Sequence, residues 1–129
     1  MARALVLAIC ALMLTSALSF GQQPPSPPGG KVEGRAAIDK LIGNTMTGTI
    51  ESAPYFAFYD PSGTVKMQVG SDVGTGKWTI DGDRLCEEFP EDEDETCYHL
   101  EIDGSSGTMT DEDGTVYKVE IIPGNAKKL

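Results

Sequence analysis

From Thr45 onward the chain alternates apolar and polar positions in short runs, and turn residues separate each run from the next. Thr45 to Glu51 sets Met46 and Ile50 on one face and Thr45, Thr47 and Thr49 on the other. Pro54 to Tyr59 is aromatic on both faces, with Phe56 and Phe58 opposite Tyr55 and Tyr59. Thr64 to Val69 turns Val65, Met67 and Val69 inward, and Lys77 to Asp81 does the same with Trp78 and Ile80. Arg84 to Phe89, Thr96 to Ile102, Thr108 to Thr110 and Thr115 to Ile122 complete the series. Period-two alternation between turn signals such as Asp60-Pro61-Ser62-Gly63 and Asp81-Gly82-Asp83 predicts β-strands. Gly70 to Gly76 reads as a flexible link.

This pattern predicts eight strands at intervals of about ten residues, with no room for crossover helices, so the sheet is expected to be antiparallel. The fold class that follows is all-β, an eight-stranded meander. A meander with one apolar face closes into a small barrel or folds into two layers; closure is favoured because it removes the edges. Arg35 to Gly43 carries the one helical signal, with Ile38, Leu41 and Ile42 on one side and Gly43-Asn44 as a stop. Two turns of helix persist only when docked, so a plug over one end of the barrel is the expected use.

Upstream, Met1 to Gly21 has a basic residue at Arg3, an apolar run from Ala4 to about Leu14, and a small-residue exit near Ser19 to Gly21. That is the anatomy of a cleaved secretory signal, so residues 1–21 are expected to leave and the mature protein to be periplasmic or secreted, with no membrane span. Ile9 before Cys10 is too large for a lipoprotein signal. Residues 22–34 are rich in Pro and Gly and read as a tether. The folded domain is then 35–129.

Export changes the cysteine arithmetic. Cys10 leaves with the signal, and Cys86 and Cys97 remain in an oxidising compartment, so they are expected to form a disulfide. In RLCEEF, Arg84, Cys86 and Glu88 share one face, and Leu85 and Phe89 share the other. In TCYHLEI, Cys97, His99 and Glu101 share a face opposite Tyr98, Leu100 and Ile102. The disulfide is thus predicted to clip two neighbouring strands across their polar, outer face, with Cys86 opposite Cys97 and Arg84 opposite His99.

Between those cysteines lie seven carboxylates, Glu87, Glu88, Glu91, Asp92, Glu93, Asp94 and Glu95. Pro90 to Glu95 is too charged to bury and is predicted to project as a hairpin tip. The five acids Glu91, Asp92, Glu93, Asp94 and Glu95 are the candidate surface for a basic exported partner. The chain carries 20 acidic against 10 basic residues, a net charge of −10, and becomes one unit more negative once Arg3 is lost. This balance excludes a phosphate-binding role toward nucleic acid.

Metal and catalytic chemistry find little support in the residues. Thr110 to Glu120 partly matches a calcium loop, with Asp111, Asp113, Gly114 and Glu120 in place but Met109 where the first acid belongs. A hairpin turn on Asp113-Gly114 accounts for the same residues without an ion. His99 is the single histidine, with no free thiol for a zinc site or a nucleophile beside it. No cofactor and no enzymatic activity are expected, and a monomer is. The aromatics Tyr55, Phe56, Phe58, Tyr59 and Trp78 read as core or as a pocket at the barrel mouth; tyrosines turned outward would instead make a protein-binding patch.

The run GKWTIDGDRLCEEF with the later TCYHL resembles small exported bacterial domains of unknown function, through Gly76, Trp78, Gly82, Asp83, Leu85, Cys86 and Cys97. LIGNTMTG and YDPSGTV look like the same group, and the resemblance spans about 37 to 124. It implies a fold, a disulfide and an exported location, and carries no activity. A fainter similarity is to the periplasmic inhibitors of secreted metalloproteases, eight-stranded barrels with a Trp-x-x-x-Gly-Asp-x-x-Cys turn like Trp78 to Cys86. In those proteins the disulfide partner lies upstream, whereas Cys97 lies downstream. The reading at this point is an exported non-enzymatic binding domain, with a protease or lysozyme inhibitor and a calcium-binding module as alternatives.

Overall fold

The computed structural model describes residues 30–129; the signal and most of the tether read from the sequence lie outside these residues. The described chain runs β1 (Val32–Glu33), α1 (Arg35–Leu41), β2 (Thr45–Ile50), β3 (Ala53–Asp60), β4 (Thr64–Val69), β5 (Asp72–Asp81), β6 (Arg84–Glu88), β7 (Thr96–Asp103), β8 (Ser106–Thr110) and β9 (Val116–Ile122). Strands β2 to β9 pair in sequence order, every pair antiparallel, and β9 returns to β2 through Thr45↔Ile122 and Met46↔Ile121. This closes an eight-stranded barrel, as the even spacing of short strands predicted.

Three local expectations are corrected. Gly70 to Gly76 is not a link: β5 starts at Asp72 and pairs with β4 along Thr64↔Lys77 to Val69↔Asp72. The alternation there is silent because the inward positions are Gly74 and Gly76. Gly76 is buried, and a Cβ on it would lie 2.7 Å from the Glu88 carbonyl oxygen and 2.7 Å from the Phe89 ring. The tether stops short of 34: Val32 and Glu33 form β1, a ninth strand on the barrel wall beside β7. The helix ends at Leu41, two residues early, where the Ile42 N–H still donates to Ile38 O and the Asn44 side chain donates to Lys40 O at 2.8 Å.

The helix is the plug its apolar stripe predicts. Ala37, Ile38 and Leu41 are fully buried, and α1 packs against β1, β6 and β7. Gly34 leads into it with φ 59°, a left-handed conformation open to glycine, and its N–H donates to Leu100 O. The same end is sealed by the C-terminal segment. Thr45 Oγ1, fully buried, donates to Gly124 O at 2.7 Å and accepts from Ala126 N–H at 3.1 Å. Trp78 holds the β3–β4 turn, its ring N–H donating to Asp60 O at 2.8 Å. Among the described residues no helix is long and apolar enough to cross a membrane.

The interior decides between the two aromatic faces of β3, which the sequence left open. Tyr55 and Tyr59 point inward with Ala57 between them, and Phe56 and Phe58 take the outer face of β3. There is accordingly no outward tyrosine patch on β3; Lys127 covers Phe56 from outside, 4.3 Å from the ring centroid.

Candidate functional site

The end of the barrel opposite α1 carries the acidic hairpin. Cys86 and Cys97 are register partners on β6 and β7 and are joined by the disulfide, as the alternation required. The bond is less exposed than a polar outer face suggested: Cys86 and Cys97 are both buried. The Glu95 carboxylate lies beside it, and the Cys97 N–H donates to Glu112 Oε1 at 3.3 Å. Beyond the clip Glu91, Asp92, Glu93, Asp94 and Glu95 are all exposed.

Glu87 is different from the acids that surround it in the sequence. It shares a strand face with Leu85 and Phe89, and that face is the barrel interior. Its register partners are Trp78 on β5 and Thr96 on β7. The side chain is buried, and the Tyr59 hydroxyl donates to its Oε1. No lysine, arginine or histidine among the described residues forms an ion pair with it. A buried carboxylate with no cation beside it is costly to ionise. Burial therefore pushes the Glu87 carboxyl up to about 7, against the smaller opposing effect of the Tyr59 hydrogen bond.

Around Glu87 lies a chamber of about 120 Å³, lined by Tyr55, Tyr59, Tyr98, Tyr117, Met67, Met109 and Ile50. Burial, with the negative charge of Glu87 next, raises the phenols of Tyr55, Tyr59 and Tyr98 above their ordinary value, so they remain neutral donors. Tyr55 is 3% exposed, and its hydroxyl has no hydrogen-bond partner. Its ring fits because residue 48 is glycine: a Cβ there would sit 2.9 Å from that ring. An unmade bond on a buried hydroxyl costs about 1–3 kcal/mol.

The chamber leads into a wider mouth of about 330 Å³ that shares Ile50, Met67, Glu87 and Tyr98 with it. The mouth is rimmed by Asp72, Glu91 and Asp92 and by the apolar Val69, Val73 and Phe89. Ile50 is 39% and Val73 60% exposed, so large apolar side chains stand beside acids at this rim. The sequence flagged the acids at 91–95 but passed over Glu87. The strand parity that set Leu85 and Phe89 inward was the available signal for it.

The calcium candidates do not converge. Asp111 Oδ1 accepts from the N–H groups of Asp113 and Thr115 at 3.0 and 2.9 Å, and Oδ2 accepts from the Tyr117 hydroxyl at 3.3 Å. Asp111 thus closes the β8–β9 turn, while Glu120 pairs across strands with Ser106 and Thr47. Asp111→Ala is expected to lower stability by about 1–2 kcal/mol equally with and without millimolar calcium, read by urea unfolding. His99 sits on the outside of the barrel, its Nε2 3.8 Å from Glu33 Oε2. With Glu101 these make a loose surface group of three. No family model, curated protein or solved structure matches the chain.

Proposed function

We propose that this chain is an exported, non-enzymatic binding domain whose barrel takes a small organic ligand through its acid-rimmed end. The observation that carries this reading is the pairing of a buried acid and an unpartnered phenol, Glu87 and Tyr55, on one chamber below an apolar mouth. Ligand pockets have this make-up: largely apolar walls and a few convergent polar groups. A carboxyl raised toward neutrality is also the mark of a general acid. The remaining lining is phenols, thioethers and an aliphatic side chain, and burial holds the phenols of Tyr55, Tyr59 and Tyr98 neutral, as hydrogen-bond donors rather than ionised nucleophiles. That composition favours binding over catalysis.

Fragment mixtures titrated into the isotope-labelled protein test the proposal. Amide shifts are expected to cluster on Tyr55, Met67, Glu87 and Tyr98, and Met67→Trp, which fills the chamber, is expected to abolish them. Shifts confined to 90–95, or insensitive to Met67→Trp, would sink the reading.

A second reading keeps the tip as a docking surface for a basic exported protein, a protease or lysozyme included. Its support is the run of five exposed acids, Glu91 to Glu95. Reversing their charge would then abolish capture of that protein with the fold intact. Under the chamber reading the same reversal slows association of a small ligand and leaves its complex in place.

A further inference from the structure

We propose that the chamber selects a small organic cation, an alkylated ammonium group, held against the Glu87 carboxylate by the surrounding tyrosines. The inference rests on the chamber being a ligand site and names the class of ligand it takes.

The first argument is charge. Tyr55 and Tyr59 face Glu87 from β3, Tyr98 from β7 and Tyr117 from β9. Further out stand Asp72 on β5 and Glu91 and Asp92 on the tip. The elements β2, β4 and β8 contribute Ile50, Met67 and Met109, which do not titrate. Every titratable group around Glu87 is therefore neutral or negative at neutral pH, and none is basic. A cation is the ligand whose arrival turns the cost of the buried carboxylate into an attraction. The raised carboxyl follows from the same surroundings and predicts that such a ligand displaces a proton.

The second argument is shape and surface. A chamber of about 120 Å³ has the volume of about four waters, room for a head group of four or five heavy atoms. Tyrosine rings with a carboxylate are the surroundings that alkylated ammonium groups favour, since the rings attract positive charge without demanding hydrogen bonds. A bare calcium ion would want more carboxylate oxygens than the one acid here supplies. The rim repeats the same logic outside: Ile50 and Val73 offer apolar contact, and the acids raise the local concentration of cations.

Choline and dimethylbutanol, its uncharged carbon isostere, test the proposal on the oxidised full-length protein. Binding of each is measured by calorimetry across about pH 5 to pH 8 at fixed ionic strength. Choline keeps its charge throughout, so any pH dependence belongs to the protein. Its affinity is expected to rise by about tenfold per pH unit up to pH 6 and to level off above pH 7. The isostere is expected to bind at least tenfold more weakly at pH 8. Glu87→Gln is expected to flatten the choline profile and lower its plateau by about tenfold or more; Tyr55→Phe, which keeps the acid, should retain the slope. Equal binding of the two isosteres, or a flat choline profile, overturns the cation proposal and leaves the chamber reading standing. Failure of both to bind overturns the two together.

Discussion

The unfolding free energy of the oxidised domain is expected to fall by about 3 kcal/mol between pH 4 and pH 8 through the Glu87 carboxyl, and Glu87→Gln should remove that fall. Glu87 is buried in the folded barrel with its carboxyl raised to about 7, against an ordinary value of 4.5. Below the ordinary value both states hold the proton and the full stability is present. As pH rises from there, the unfolded chain gives up its proton and the folded chain keeps it, so folding loses ground. Above the folded value both are ionised and the slope vanishes. The raised value corresponds to roughly 3–4 kcal/mol over the whole titration at 1.4 kcal/mol per pH unit, nearly all of it above pH 4. Other carboxylates also titrate near the acid end of this range. The difference between wild type and Glu87→Gln isolates the one group: the two should agree near pH 4, below the ordinary value, and the variant should be the more stable at pH 8. Parallel curves for the two proteins would show that the Glu87 carboxyl is not desolvated in the fold.

The second large effect is the disulfide. Replacing Cys86 and Cys97 together by alanine is expected to lower stability by about 3 kcal/mol, because the bond closes a loop with a sequence separation of 11 in the unfolded chain. In urea this is a drop in midpoint of about 2 M for a domain of this size. The fold should survive, since β6 and β7 remain paired to β5 and β8 on their other sides. An unchanged midpoint would mean that the unfolded chain holds the hairpin without its bond. Because both sulfurs are buried, dithiothreitol should act on the native protein only as fast as the hairpin opens.

Much of this architecture was legible in the sequence, for reasons that also explain what was not. Leu85, Leu100 and Ile102 sit on strict alternations and landed inside as expected. The cysteines followed from the same parity, because a slip of one residue would have turned both inward. Parity alone did not decide β3, where both faces are aromatic. Hydropathy favours the phenylalanines as core, yet the tyrosines went in. Their face carries Ala57, which leaves space, and the interior carries Glu87, which gives Tyr59 a partner. The first half of β5 was invisible because glycines have no side chain to alternate. Glu87 was hidden by its company: seven acids between two cysteines suggest one solvated loop, and only the strand face separates the first of them from the rest. The chamber itself is built from β2, β3, β4, β6, β7, β8 and β9, and barrel closure rather than any local motif brings them together.

The path of the chain at the plugged end has a practical consequence. Val32 lies beside Ile102, so the chain runs into the domain from the end where α1 sits. Gly124 and Ala126 are bonded to Asn44 and Thr45 at that same end, and Leu129 folds back on Asn125. Both ends of the described chain are therefore remote from the acidic rim. A fluorescent fusion, an affinity handle or a sensor surface attached at either one leaves the opposite pole facing solution. The domain comes oriented for immobilised binding assays without circular permutation.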